Sequence, residues 1–323
     1  MAAVNSNTYS SLGDLLTSEV LNGEVVLLLA ERNYLPNHPA IFMAEPIDGS
    51  GSSTRKVSHV GLFAYDLPAA LADGATVSLT ALTDGSTTLS VSRYTKAYGA
   101  SDLARLTLPS GRIDPAILAS DAVMSMNARS TDLICDVIDG FSTQSGPGSG
   151  VDLDVASTMG VIGAAAVGNL PGNAFMGVLH GQQWSDLIVD GGTSIGSAGG
   201  GTQNYNAQLA QMQELRGGGY VGSWLGVDWF RNNRVKTGNA GADRMGALFS
   251  YGGVMGVVGT FSMVGIEDPN NQVLIGGGGD GLAPVLLFER ARDAYSAETA
   301  FICHAWMGWA KGVEAGITIP SDA

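Results

Sequence analysis

Gly276, Gly278 and Gly281 stand at the spacing Gly-x-Gly-x-x-Gly, a cofactor-binding pattern within this chain of 323 residues. In a dinucleotide site such glycines make a tight turn, admit the pyrophosphate and open a helix whose N-terminus holds the anion. Gln272 to Ile275 before them reads as a strand, and Glu298 lies near the distance of a ribose-binding carboxylate. The continuation does not fit. Leu282-Ala-Pro-Val285 leads into a β pattern rather than a helix, and little chain remains for a βαβ unit. These residues read better as a glycine loop between two strands.

Other chemistry-bearing residues are scattered. His38, His59, His180 and His304 sit in four different segments, without helical metal-ligand spacing, and neither Cys135 nor Cys303 has a nearby partner ligand. Both cysteines lie in apolar segments and read as buried, reduced thiols. Gly218 to Gly222 has the outer glycines of a nucleophile elbow but lacks the serine. Trp184, Trp224, Trp229, Trp306 and Trp309 read as core or interface anchors rather than base-stacking platforms. The sequence therefore assigns no catalytic, cofactor or metal residue, and the expected protein is not an enzyme.

Charge narrows the partners. Sixteen Lys and Arg against 30 Asp and Glu give a net charge of −14, which argues against gripping nucleic acid through its phosphates. Enclosing nucleic acid without adhering to it remains compatible with that balance. The 46 glycines have no fixed period, as expected for many short strands joined by tight turns. No signal peptide is expected, and Val25 to Ala30, the longest apolar run near the start, is too short to span a bilayer.

The element with the clearest ends is Ile113 to Gly140, read as one amphipathic helix. Asp114 can cap it, Pro115 fits the first helical position, and Gly140 is expected to supply a left-handed stop. Ile117, Met124, Ala128, Thr131, Cys135 and Ile138 recur at three- and four-residue steps as the expected buried stripe. About 25 residues make a rod of roughly 37 Å. Before it, residues 9–32 have a helical pattern with Leu12, Leu15, Leu16, Val20 and Leu21 as one apolar patch. Thr54 to Val60 alternates like a strand, and Ala75 to Ala81 with Ser86 to Tyr94 read as a hairpin turning at Asp84-Gly85. After the rod come a Gly/Ser hinge over 142–150 and a second helix capped by Asp152, with Val155, Met159, Ile162 and Ala166 inward. A strand over 174–180, a short helix over 183–189 and a glycine-rich surface loop over 191–201 follow. Further strands fall in 220–235 and 245–266, and Pro284 to Arg292 pairs with Thr299 to Trp309 as a long hairpin.

Several segments, in this order, resemble the tailed-phage major capsid protein family with the Hong Kong 97-type fold. Ser90-Val-Ser-Arg-Tyr-Thr-Lys-Ala-Tyr98 with Asp102-Leu-Ala-Arg105 is similar to the strand returning from that family's extended loop into its spine helix. Ile113-Asp-Pro115 to Asp132-Leu-Ile134 is similar to the spine helix itself. Phe175 to Leu187, containing Val178-Leu-His180 and Gln183-Trp184, resembles a strand-to-helix step of the axial domain. Leu225-Gly-Val227 to Asn233-Arg-Val235 resembles a later axial strand. Leu286-Leu-Phe-Glu-Arg290 with Thr299-Ala-Phe301 to Met307-Gly308 resembles the closing strands of the peripheral domain.

The resemblance implies an α+β fold with an N-terminal arm (1–44), an extended loop (45–100), a peripheral domain (101–149 and 285–323) and an axial domain (150–284). It implies a major capsid protein, made in the host bacterial cytoplasm and residing in the virion capsid. Such a protein forms hexamers and pentamers of an icosahedral head around double-stranded DNA, with no sequence-specific DNA contact, cofactor or membrane. Separate scaffolding, portal and decoration proteins are its implied partners, since no acidic helical extension precedes the arm. Leu12, Leu15 and Leu16 of the arm and the cations Arg55, Lys56, Arg93 and Lys96 become candidate subunit contacts. For the cations, a solvated face is the competing reading. The family's cross-linking variant joins an extended-loop lysine to a partner asparagine; Lys56 lies in the loop here, but no sequence context marks an asparagine or a catalysing glutamate. An encapsulin-like compartment shares this fold, and a cytosolic dinucleotide-binding enzyme is the reading from another class.

Overall fold

The computed structural model describes residues 35–47, 52–60, 84–101, 115–168, 170, 174–197, 220–224, 226–260, 272–275, 285–293, 298–313 and 315–322. In chain order they form β1 (Ile41–Met43), β2 (Thr54–Val60), β3 (Asp84–Ser90), β4 (Ser92–Ser101), α1 (Pro115–Asp139), β5 (Thr143–Gln144), α2 (Val155–Val167) and β6 (Phe175–Leu179). Then come α3 (Gly181–Ser197), β7 (Tyr220–Trp224), β8 (Val227–Arg231), β9 (Thr237–Gly238), β10 (Asp243–Ser250) and β11 (Val254–Val258). The last strands are β12 (Gln272–Ile275), β13 (Leu286–Asp293), β14 (Glu298–Lys311) and β15 (Gly316–Asp322).

Two large sheets share one helix. A six-stranded sheet runs β1-β11-β14-β13-β12, with β4 also on β14. The 14 residues of β14 make this possible: Glu298 to Ala305 pair with β13, Glu298 to Met307 with β4, and Met307 to Lys311 with β11. A seven-stranded sheet runs β5-β15-β10-β6-β8-β7, with β9 on β10. Sheet membership crosses the spans read from sequence. β11 and β12 pair beside β13 and β14, whereas β5 and β15 join the second sheet.

Strand alternation builds the core on both faces of the second sheet. Met176, Val178, Phe230, Ala247 and Phe249 point to one face and cluster with Ile134, Cys135 and Ile138 of α1. Leu179, Val227, Trp229, Leu248, Ile317 and Ile319 point to the other, against Val161 and Ala165 of α2 and Trp184 and Leu187 of α3. Gly177 is opposite Trp229 in the ladder, and any Cβ there would come within 2.3 Å of the indole ring atoms. The N-terminal half of α1 instead lays Ala119, Ala122, Val123 and Met126 on Leu286, Phe288, Cys303, Ala305 and Met307 of the first sheet.

That packing corrects the expected stripe. Thr131, Cys135 and Ile138 are buried as read, but Met124 and Ala128 are only half-buried. Ala119 and Ala122 are small enough to bring the helix down onto Cys303 and Ala305, which rotates the adjoining apolar face outward. Gly140 is not in the left-handed region either. The helix closes by a tight turn, Gly140 N–H to Val137 O at 3.0 Å, and Lys311 Nζ donates to Gly140 O at 3.2 Å.

Other local expectations shift for comparable reasons. Asp154, not Asp152, caps α2, accepting from Ser157 N–H at 2.6 Å, and hydrogen bonding from the Ser157 side chain, then from that N–H, holds its carboxyl below the usual range. Thr158, Val161 and Ala165 are the buried residues of α2, while Met159 and Ala166 are exposed. Helix α3 continues through Gly191 and Gly192, where a loop was expected. Asp84 and Gly85 do not turn; they pair with Val60 and His59 in a β2–β3 ribbon. The expected strand Ser86 to Tyr94 divides at Val91, its first half joining β2 and its second joining β14. Strands over 54–60 and 174–180 and the β13–β14 hairpin form as read. The arm helix over 9–32 and the strand over 75–81 lie outside the described residues.

Candidate assembly surfaces

Helix α1 is tied to both sheets by polar contacts as well as apolar ones. Asp132 and Asp136 stand one turn apart on it, and Lys236, between β8 and β9, reaches both, at 2.9 and 2.8 Å. Arg129 Nη1 donates to the other oxygen of Asp132 at 2.7 Å, and its guanidinium lies 5.1 Å from the Tyr94 ring centroid. The hydrogen bond from Lys236 holds the Asp132 carboxyl below its usual range, while those to Asp136 and Asp132 push the Lys236 ammonium up. Near the other end of α1, Tyr98 donates to Asp121, and burial followed by that bond pushes its phenol up. The helix is thereby fixed against β4 and the β8–β9 loop along most of its length.

The β2–β3 ribbon leaves the body at Leu89, which is fully buried with Ala44, Met255 and Val257. At its base, Val91 N–H donates to Ser53 O at 2.9 Å. Gly308 lets β14 pass beneath, since a Cβ there would collide with Ser90 O. One ribbon face carries Arg55, Val57, Thr87 and Leu89 toward the body; the other exposes Thr54, Lys56, Ser58, Ser86, Thr88 and Ser90. That second face, all hydroxyls and one ammonium, presents donors and acceptors to whatever lies above it.

The four candidate cations do not converge. Arg55 pairs with Glu45 of its own chain. Lys56 is exposed on the ribbon, opposite Thr88. Arg93 is exposed on β4 opposite Trp306, and Lys96 is half-buried with its ammonium 5.6 Å from the Tyr98 ring centroid. Leu12, Leu15 and Leu16 lie outside the described residues.

Chemistry-bearing residues have structural partners. His38 is buried, accepts from Ala40 N–H through Nδ1 and meets Asp228 through Nε2 at 3.0 Å, fixing the entry to β1 against β8. His304 lies between Thr95 at 2.8 Å and Glu289 at 3.2 Å. His180 Nδ1 accepts from Gln182 N–H at the start of α3; burial, then the Arg244 charge, lowers its pKa. Cys135 and Cys303 are buried, which pushes each thiol up to about 12. Among the described residues no three His, Cys, Asp or Glu converge as a metal site, and no helix is long and apolar enough to cross a membrane. The strand before the glycine motif, β12, pairs antiparallel with β13, so the glycines connect neighbouring antiparallel strands. A dinucleotide site requires a helical crossover to a parallel strand instead.

Two structural residues escaped the sequence reading. Lys236 could have been sought once Asp132 and Asp136 were placed on one helix face. Gln183 is fully buried, with Oε1 accepting from His180 N–H at 3.0 Å. Its Nε2 lies 3.1 Å from Arg244 O, 3.0 Å from Ile319 O and 2.8 Å from Ser321 Oγ.

Neither a protein-family model nor a curated protein matches the chain by sequence. Solved structures do match by shape. The capsid of Ralstonia phage GP4 aligns with TM-score 0.60 and 11% identity over 88% of this chain and 87% of that one. The Cyanophage Pam1 capsid aligns with TM-score 0.55 and 12% identity over 91% and 93%. The fold is of the Hong Kong 97 capsid type. The head of Helicobacter pylori bacteriophage KHP40 aligns with TM-score 0.55 and 11% identity over 90% of each chain.

Proposed function

We propose that this chain is the major capsid protein of a tailed double-stranded DNA phage, forming the hexamers and pentamers of an icosahedral head. The observation that carries this reading is a shared fold spanning about nine-tenths of both this chain and the capsid chains compared with it. In this reading α1 keeps the subunit rigid by fastening two sheets to one rod. Residues 1–44 are the arm and 45–100 the extended loop. The six-stranded sheet with the N-terminal half of α1 is the peripheral body, and the seven-stranded sheet with α2 and α3 is the axial body.

The ribbon is the element that reaches a neighbour. Its exposed hydroxyl face and Lys56 suit the acidic surface of a second copy, each copy carrying −14. That same charge keeps enclosed DNA from adhering to the wall. Sedimentation of the purified full chain, followed by limited trypsin digestion, tests the reading. Particles far heavier than the 33.2 kDa subunit are expected, with the bond after Lys56 cut faster in unassembled subunits than in particles. A chain that stays monomeric at every concentration and ionic strength would overturn it.

A further inference from the structure

We propose that the sheet end where β6 and β8 stop and α3 begins is a binding site for a small phosphate-type oxyanion, held by Arg231, Arg244 and the His180 ring. The proposal goes beyond the capsid reading and does not depend on it, because every residue it uses belongs to one subunit. Arg244 motivates it. The residue is half-buried, its Nε–H is fully buried without a hydrogen-bond partner, and no carboxylate pairs with it among the described residues. In a chain of 30 acidic and 16 basic residues that is unexpected. The exposed Lys56 and Arg93 are solvated by water, but a buried charged donor left unsatisfied carries its desolvation penalty in full.

Strand alternation brings a second guanidinium to the same place. Trp229 of β8 and Leu248 of β10 pack toward α3, and Arg231 and Arg244 lie two and four residues along from them, on that same face. Strand β6 runs between these two strands, with Arg231 opposite its last residue, Leu179. The arginines therefore flank the chain as it leaves the sheet. Like Arg244, Arg231 has no carboxylate partner among the described residues. Gly181 keeps the backbone bare beside it: a Cβ there would lie 2.5 Å from Asn233 Oδ1 and 4.0 Å from Arg231 Cδ.

The first turn of α3 is not the site by itself, since two of its N–H groups are taken. His180 Nδ1 accepts from Gln182 N–H at 3.1 Å, and His180 O accepts from Trp184 N–H at 3.0 Å. Because Nδ1 accepts, the neutral imidazole carries its proton on Nε2. Burial, then the Arg244 charge, lowers the His180 pKa and keeps the ring in that donor form. Two guanidiniums and one imidazole N–H, carried by two strands and a turn, suit the several oxygens of a tetrahedral anion. A planar carboxylate needs only one arginine fork. The half-buried Arg244 and the net charge of −14 both disfavour a nucleic-acid backbone, which is gripped by many exposed cations.

Inorganic phosphate titrated into the full-length unassembled chain, at constant ionic strength with chloride as the comparison, tests the proposal. Phosphorus NMR reads the binding and thermal unfolding reads its linkage to stability. Wild type should bind saturably and melt at a higher temperature as phosphate rises, an effect chloride does not reproduce. Arg244→Gln should weaken phosphate binding roughly tenfold or more. Arg231→Gln, on the exposed strand end, guards against a folding defect in the first variant. It should melt as wild type does without phosphate and bind phosphate severalfold more weakly. No saturable response in wild type, or one that both variants retain, would overturn the proposal. A short DNA duplex bound through these arginines, with phosphate alone unbound, would assign them to a polyanion and overturn it too. Particles weakened by both variants, with no phosphate response in subunits, would assign the arginines to a neighbour's carboxylate, again overturning it. Each of these results leaves the capsid reading intact.

Discussion

Replacing Gln183 by leucine should unfasten α3 from the second sheet without creating a cavity. The two side chains have similar volume, so the whole effect falls on four polar neighbours. His180 N–H loses its acceptor at 3.0 Å, and the carbonyls of Arg244 and Ile319 lose a donor at 3.1 and 3.0 Å. Ser321 Oγ loses one at 2.8 Å, but a hydroxyl can turn to another partner. Three backbone groups thus remain buried at about 1–3 kcal/mol each, and carbonyls retain a second lone pair for the ladder. A loss of about 3–5 kcal/mol follows, a large share of the ~5–15 kcal/mol typical of a folded domain. Thermal unfolding of unassembled subunits, read by circular dichroism, should fall by roughly 6–15 °C. Gln183→Glu supplies a check of sign. Its buried carboxyl faces two carbonyl oxygens, so the folded state favours the protonated acid and raises the pKa above the unfolded value. The stability of that variant relative to wild type should therefore be greatest below about pH 4 and decline as pH rises through the folded pKa. A Gln183→Leu loss under about 1 kcal/mol, or a Gln183→Glu variant indifferent to pH, would refute the reasoning.

Lys236→Met should remove acid sensitivity from the link between α1 and the β8–β9 loop. Because the Asp132 carboxyl is held below its unfolded pKa, its contribution is complete above that value and is lost as pH falls through the folded pKa. Wild type should lose more stability than the variant between pH 5 and about pH 2, and at neutral pH the variant should be weaker by about 1 kcal/mol. Gly177→Ala drives a methyl to within 2.3 Å of the Trp229 ring atoms and should cost on the order of 3 kcal/mol, with a shift in tryptophan fluorescence. Cys135 and Cys303, with thiols pushed up to about 12 by burial, should both resist a thiol reagent in the native chain and react after unfolding in urea. Rapid native labelling of either would contradict their burial.

Elements whose signals are local were legible in the sequence. The long helix was set by Pro115 and its extended run, β2 by alternation, and the β13–β14 hairpin by two apolar stretches facing each other. What escaped was decided by distant residues. Asp84-Gly85 is a strong turn dipeptide, but burying Leu89 against Met255 and Val257 sets a register that draws it into a strand. Asp152 and Asp154 are equally good caps on paper, and the burial of Leu153, Val161 and Ala165 chooses between them. The rotation of α1 depends on how closely Ala119 and Ala122 approach β14. The capsid-type architecture was legible in the order of segments, whereas the partners of single charged and polar side chains were not. Arg55 has its partner Glu45 within the same chain, and Lys236 and Gln183 act through groups more than 60 positions away for most of their bonds.

Cryo-electron microscopy of the purified full-length chain tests the central claim most directly. The account predicts closed shells, or curved sheets and tubes of the same capsomers, in which the β2–β3 ribbon of one subunit lies across the next and α1 bridges both sheets of each. Dispersed single subunits under conditions that preserve the fold, or assemblies in which the ribbon touches only its own chain, would contradict it.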